Sequence, residues 1–302
     1  MTGSSTNQTL SFLMRRFDEA GIRPHTRFGQ NFLIDLNLQR VLLEAAELGP
    51  EDVVLEVGTG TGSLTALMAP RAAAVVTCEI DQQLFQLAAE ELFQLDNVSM
   101  LQLDALKTKH RLNPEMLDVV FRQLDAAPGR RLKLVANLPY NVATPILTNL
   151  LACDRPPHSM SVTIQKELAD RIVALPGNKD YGALSIWMQS QCRLEIVRVM
   201  PPAAFWPRPK VSSAIIRVTL DPALRGRIPD RQFFHGFVRS MFFHRRKFLR
   251  SELLSAFKRR LGKPEVDDVL AEMGLDGTVR AEQLDVQTML DLCEVVRARV
   301  GD

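Results

Sequence analysis

Asp52-Val53-Val54-Leu55-Glu56-Val57 runs directly into Gly58-Thr59-Gly60-Thr61-Gly62-Ser63, and then into the apolar stretch Leu64 to Ala69. The first six residues read as a short buried strand, the next six as a glycine turn, and the last six as the opening of a helix. Strand, glycine turn and helix begin a nucleotide-binding βαβ unit. Glycines let backbone approach a ligand closely and permit positive φ. The spacing is G-x-G-x-G, with Ser63 where a dinucleotide fingerprint wants glycine or alanine. That is weak evidence against a pyrophosphate, and it favours a ligand whose amino-acid end meets the turn.

Downstream, Ala74 to Cys78 reads as a second strand, followed by Glu79-Ile80-Asp81. A carboxylate about 20 residues past the glycines is placed for ribose hydroxyls and would repel a 2′-phosphate. Ile80 is suited to packing on an adenine face. A third strand, Val98 to Leu103, runs into Asp104-Ala105-Leu106, where Asp104 is available to an adenine amino group. Taken singly, Glu79 and Asp104 also read as solvated strand-end acids. Together the three strand ends outline a crevice for an adenosine-containing ligand, because open α/β sheets bind ligands at the carboxyl ends of their strands.

A further apolar run, Leu132 to Ala136, leads into Asn137-Leu138-Pro139-Tyr140. An amide, a stiffening proline and an aromatic at a strand end suit a flat, amine-bearing ring. Asn-x-Pro is also an ordinary turn. Leu194 to Met200 and Val211 to Leu220 read as the last two strands of the first domain. Between them Pro201 to Lys210 holds four prolines, which preclude a helix and give a stiff loop. This loop reads either as a plain hairpin connection or, through Phe205, Trp206, Arg208 and Lys210, as an RNA-facing wall. Leu117 to Arg131 reads as a loop or helix variation.

Seven blocks occur in order: GQNFL (Gly29 to Leu33), EVGTGTGSLT (Glu56 to Thr65), CEID (Cys78 to Asp81), LDAL (Leu103 to Leu106), NLPYN (Asn137 to Asn141), IQKELADRI (Ile164 to Ile172) and FWPRPKVSSA (Phe205 to Ala214). The set resembles the ribosomal RNA adenine N6,N6-dimethyltransferase family, most closely its bacterial KsgA-type branch, over about residues 15 to 260. The resemblance implies a Rossmann-like class I methyltransferase domain of the α/β class, dependent on S-adenosyl-L-methionine (SAM). It implies dimethylation of two adjacent adenines in the 3′-terminal hairpin of small-subunit (16S) rRNA, linked to late small-subunit assembly. Asn31, Leu33, Gly58, Gly60, Glu79, Ile80, Asp104 and Asn137 then fall to the donor. Asn137, Leu138, Pro139 and Tyr140 fall to the target adenine, with Phe205 closing from the other side. The flank Arg23 to Phe28 departs from the commonest pattern, which leaves His25 and Arg27 without assigned roles.

The 302 residues, 46% hydrophobic, suffice for two domains. The expected division is a catalytic domain with an N-terminal helical extension over 1–220, and a smaller all-α domain over 221–302, with Asp221 to Asp230 as linker. The formal charge of +2 conceals an asymmetry. Residues 231–263 carry ten Lys/Arg against one acid, Glu252, whereas 264–302 carry ten acids against three Arg. Clustered basic charge is the footprint of phosphate binding, and Arg245, Arg246, Lys247 and Arg250 are its centre. The phenylalanines of this stretch read as core at helical spacing. The four cysteines are scattered singly, with neither metal spacing nor disulfide framework, so no metal is expected. There is no signal-peptide pattern and no membrane-length apolar run. The reading is a cytoplasmic monomer acting on rRNA within an assembling 30S-type particle. Three alternatives remain beside it: a resistance-type large-subunit rRNA methyltransferase, a DNA adenine methyltransferase, and a non-catalytic assembly factor on the same scaffold.

Overall fold

The computed structural model describes residues 10–24 and 29–301. His25 and Arg27 lie outside the described residues. Seven strands form the central sheet: β1 (Asp52–Val57), β2 (Ala74–Glu79), β3 (Val98–Gln102), β4 (Arg131–Asn137), β5 (Ser159–Gln165), β6 (Cys192–Met200) and β7 (Ser213–Leu220). Their order is β3-β2-β1-β4-β5-β7-β6. From β3 to β5 the neighbours run parallel, and β7 lies antiparallel to β5. All six residues of β1 and of β2 are buried, as expected of parallel strands covered on both faces. The strand order reverses between β1 and β4, so the crevice beyond their carboxyl ends is the ligand position that the topology favours. Gly58 follows β1 there, and Asn137 ends β4.

β5 has no counterpart in the sequence reading. Ser159-Met-Ser-Val-Thr-Ile-Gln alternates polar and apolar residues and so resembles a half-exposed strand. Nevertheless Ser159, Ser161 and Thr163 are all buried. Ser161 satisfies its hydroxyl by donating to the Ala45 carbonyl at 3.0 Å. Lys133, inside β4, is buried too, with Nζ 2.9 Å from Asp52 of β1 and donating to the Ala46 and Glu47 carbonyls. The segment before β4 is a helix, Pro114–Asp125, capped by Asn113 and started by a proline.

The chain divides into two compact units, Met1–Ala169 with Glu195–Thr219, and Asp170–Leu194 with Leu220–Asp302. The second differs from the expected 221–302 by recruiting 170–194. Trp187, on the helix Ala183–Gln189, explains this: it is buried with its ring 6.3 Å from Phe234 and 4.5 Å from His235, both on the helix Arg231–Met241. Tyr181 is buried as well and donates to the Leu284 carbonyl at 2.9 Å. The expected linker begins instead with a short helix, Pro222–Arg225, capped by Asp221. The helices Leu249–Ala256, Lys263–Glu272 and Val286–Val300 complete this unit. Phe234 and Phe237 are core, whereas Phe243 and Phe248 are exposed.

Candidate active site

Ten residues singled out from the sequence line one cavity of about 270 Å³: Asn31, Gly58, Gly60, Glu79, Ile80, Asp104 and the four from Asn137 to Tyr140. Gln30, Phe32, Leu103, Ala105, Asn141 and Val142 also line it. The sequence reading assigned these no role, although all but Val142 fall inside the motif blocks.

The glycine turn is built for close approach. Gly58 has φ +87°, and a Cβ there would stand 3.3 Å from Cγ and Cδ of Pro139. Gly60 has φ +58°, and a Cβ would stand 3.3 Å from the Phe32 ring. The turn is pinned from below by Glu79, whose Oε2 accepts from the Gly60 amide at 2.9 Å. Its Oε1 accepts from the Asp81 amide at 3.0 Å. Burial raises the Glu79 pKa above the usual carboxylate range, and these backbone bonds pull it back. A carboxylate offers about four acceptor positions, so two remain for ligand hydroxyls. Ile80 beside it is 45% exposed, an apolar surface on the cavity wall. Asp104 is exposed, with Oδ1 accepting the Leu106 amide at 2.8 Å.

Beneath the turn lies Glu56, 1% exposed, accepting from Thr65 at 2.5 Å and Thr77 at 2.7 Å. Burial pushes its pKa up to about 8, the two hydroxyls partly opposing. Thr77 in turn bonds Thr59 of the turn at 2.6 Å. The chain therefore runs from a buried acid to the backbone that meets the ligand.

The GQNFL segment crosses the strand ends and ties them together. Gln30 donates to Asp81 at 3.2 Å, and the Asn31 carbonyl accepts the Asn137 amide at 2.8 Å. Phe32–Leu33 pairs antiparallel with Phe205–Trp206. With Asn137 Nδ2 so engaged, its Oδ1 is left as an acceptor. Neither Asn137 Oδ1 nor the Leu138 carbonyl takes a hydrogen bond among the described residues. Tyr140 is held by its hydroxyl, 2.6 Å from Ser213 Oγ, with its pKa raised by burial.

Two expected site residues stand elsewhere. Phe205 is 2% exposed and Leu33 is 7% exposed; both pack in the core with Leu42, Met200 and Ile215, off the cavity wall. Their mutual strand pairing draws both side chains inward. Trp206 likewise packs on Phe17 of the helix Leu10–Glu19, ring centroids 5.3 Å apart. Of the expected RNA wall, Arg208 and Lys210 face solvent. In the basic stretch, Arg245 bonds Glu282 at 2.6 Å and Arg250 holds Asp267 through two bonds, at 2.5 and 2.8 Å. Arg246 and Lys247 are exposed and have no ion-pair partner among the described residues.

A family model described as "Ribosomal RNA adenine dimethylase" matches residues 21–297. The ribosomal RNA small subunit methyltransferase A of Halothermothrix orenii is 33% identical over 303 residues, covering 100% of this chain and 95% of the relative. That of Pediococcus pentosaceus is 39% identical, covering 91% and 90%. Among solved structures, a dimethyladenosine transferase from Plasmodium falciparum superposes with TM-score 0.71 at 23% identity, covering 85% of this chain and 94% of the other, and shares the fold. The 23S rRNA methyltransferase ErmE gives TM-score 0.60 at 25% identity, covering 88% and 99%.

Proposed function

The chain belongs to the ribosomal RNA adenine dimethylase family, and from that premise we propose that it dimethylates the N6 amino groups of two adjacent adenines in the 3′-terminal hairpin of small-subunit rRNA, with SAM as donor. The observation that carries this reading is the pair of free acceptors, Asn137 Oδ1 and the Leu138 carbonyl, on the wall of a cavity floored by the glycine turn.

The residues fit the donor. The turn at Gly58 and Gly60 leaves no room for side chains where a ligand must lie close. Glu79 keeps acceptors for ribose hydroxyls, Ile80 offers an apolar face, and Asp104 and Asn31 complete the wall. SAM, when bound, supplies a methyl group on a positive sulfur that leaves as a neutral thioether.

The protein's own work is positioning, which in well-oriented reactions is worth roughly 7–11 kcal/mol. An adenine amine is a poor nucleophile because its lone pair is delocalised into the ring. Asn137 Oδ1 and the Leu138 carbonyl hold the two N–H groups. That steers the nitrogen towards tetrahedral geometry and stabilises the positive charge growing on it. Tyr140, anchored to Ser213, stacks the flipped base, at roughly 1–3 kcal/mol. Pro139 fixes the turn that presents both acceptors. Arg208, Lys210, Arg246 and Lys247 supply phosphate contacts.

We place this activity in the cytoplasm, with a monomer acting on a late 30S-type assembly particle. No described helix is long and apolar enough to cross a membrane. Mass spectrometry of small-subunit and large-subunit RNA incubated in parallel with protein and SAM tests the reading. Dimethyladenosine in the small-subunit 3′ hairpin is the expected product. Methyl groups on large-subunit RNA alone, or on neither, would overturn it.

A further inference from the structure

The helical unit contains a second cleft that methyl transfer does not use. It measures about 370 Å³ and is lined by Arg239, Ser240, Phe243, Glu252 and Ser255. Glu252 is the informative member. It is the only acid of the basic stretch 231–263. It is 2% exposed, and its Oε1 is buried without a hydrogen bond. Nδ1 of His244 stands 3.2 Å away, within ion-pair range when that ring is protonated. A buried carboxylate with unfilled acceptor sites is costly unless a partner fills them. Phe243, on the same cleft, is 77% exposed, its ring standing edge-on to His244 at 4.7 Å between centroids. Arg239 is exposed at the margin, without an ion-pair partner among the described residues.

We propose that this cleft takes one unpaired guanine of the RNA substrate, with Phe243 as stacking platform and Glu252 as reader of the base edge. The proposal rests on the reading that the chain acts on rRNA. Single-stranded RNA is read by stacking unpaired bases on aromatics and by hydrogen bonds to their Watson–Crick edges. A carboxylate accepts only. Guanine alone offers two adjacent donors, N1–H and N2–H, which match two carboxylate oxygens. Adenine and cytosine each set a ring-nitrogen acceptor beside their single donor group. Uracil flanks its one donor with two carbonyls. Against a carboxylate those three bases lose a bond or meet repulsion. Arg239 then holds a flanking phosphate, independent of sequence.

The test measures fluorescence anisotropy of the full-length protein with labelled oligouridines carrying one central guanine, inosine, cytosine, adenine or uracil. Central guanine should bind roughly fivefold or more tighter than uracil, the scale of one good bidentate base contact. Inosine, which lacks the N2 donor, should fall between. Glu252→Gln should erase the preference, because its amide N–H₂ faces the donors. Ser255→Trp should erase it by filling the cleft without altering charge, which keeps the test decisive should Glu252→Gln misfold. Arg239→Ala should weaken all five probes equally. Equal binding of guanine and uracil probes by the wild type overturns the proposal, as does a preference that survives both cleft variants. Wild-type methylation of small subunits from the same preparation separates the two readings. Methyl transfer without a guanine preference sinks the cleft alone, whereas a guanine preference without methyl transfer sinks the catalytic reading and leaves the cleft standing.

Discussion

Asn137 donates its side-chain amide to the Asn31 backbone carbonyl at 2.8 Å, joining the end of a buried strand to a segment far upstream. The bond fixes which end of the amide faces the cavity, and so sets the acceptor that holds the substrate amine. Asn137→Ala removes both the acceptor and the tie. We expect methyl transfer to fall roughly 10²–10³-fold, the cost of losing one preorganised charge-stabilising group. SAM affinity should fall only modestly, because Glu79 and the glycine turn stay in place. Single-turnover methylation and calorimetric titration check the two halves, and near-normal turnover would refute the role.

Gly58 touches the catalytic tetrad through space it leaves empty. At φ +87°, alanine there is strained by about 1–2 kcal/mol. Its Cβ would also press on Pro139 at 3.3 Å. Gly177→Ala is the matched control, with φ +80° and nothing within 4 Å. Both variants should melt lower, but Gly58→Ala alone should weaken SAM and slow transfer. Equal donor affinity in the two variants would show that the contact with Pro139 does not matter.

Glu79→Ala should weaken SAM about tenfold or more, since a hydrogen bond to a charged group is worth roughly 1.5–3 kcal/mol. The effect has two parts, because the acid also receives the Gly60 and Asp81 amides. Glu79→Gln keeps one acceptor and should recover part of the affinity. Titration calorimetry decides the point: an unaltered alanine variant would mean that the acid only occupies space.

Much of this was legible from local pattern. Gly58, Glu79, Asp104 and Asn137 follow apolar runs, so each declares itself as the end of a strand, and the crevice follows from the sheet. What local pattern could not show depends on partners far along the chain. Phe205 reads as an aromatic on a stiff loop, but pairing with Leu33 turns it into the core. Ser159 to Gln165 reads as half-exposed, yet Ser161 finds the Ala45 carbonyl and the strand lies buried. Trp187 carries 170–194 into the helical unit because its ring meets Phe234 and His235.

The basic stretch also divides by partner. Arg250 is spent on Asp267 and Arg245 on Glu282, whereas Arg246 and Lys247 are exposed and unpaired among the described residues. The double reversal Arg246→Glu with Lys247→Glu should weaken RNA binding across sequences and flatten its salt dependence. Arg250→Glu should chiefly lower the melting temperature by setting two acids face to face. Filter binding over a salt series, with melts alongside, measures both. An unchanged slope in the double variant would remove those two side chains from the RNA footprint.

The buried acid beneath the glycine turn predicts how stability responds to pH. Burial holds the Glu56 carboxyl protonated up to about pH 8, against the pull of Thr65 and Thr77. In the unfolded chain the same group ionises near ~4.3. Between those values the folded state keeps a proton that the unfolded state has released. Its contribution is therefore full below the unfolded value and is lost as pH rises towards the folded one. Glu79, also raised by burial, adds a slope of the same sign. Glu56→Gln keeps an oxygen for both threonines and has nothing to ionise. Melts of ligand-free protein at rising pH should thus fall more steeply for the wild type than for Glu56→Gln. The gap should widen up to about pH 8 and then level off. Parallel curves across that span would mean that Glu56 is already ionised in the fold, and that the threonine network is held by a charge instead of a proton.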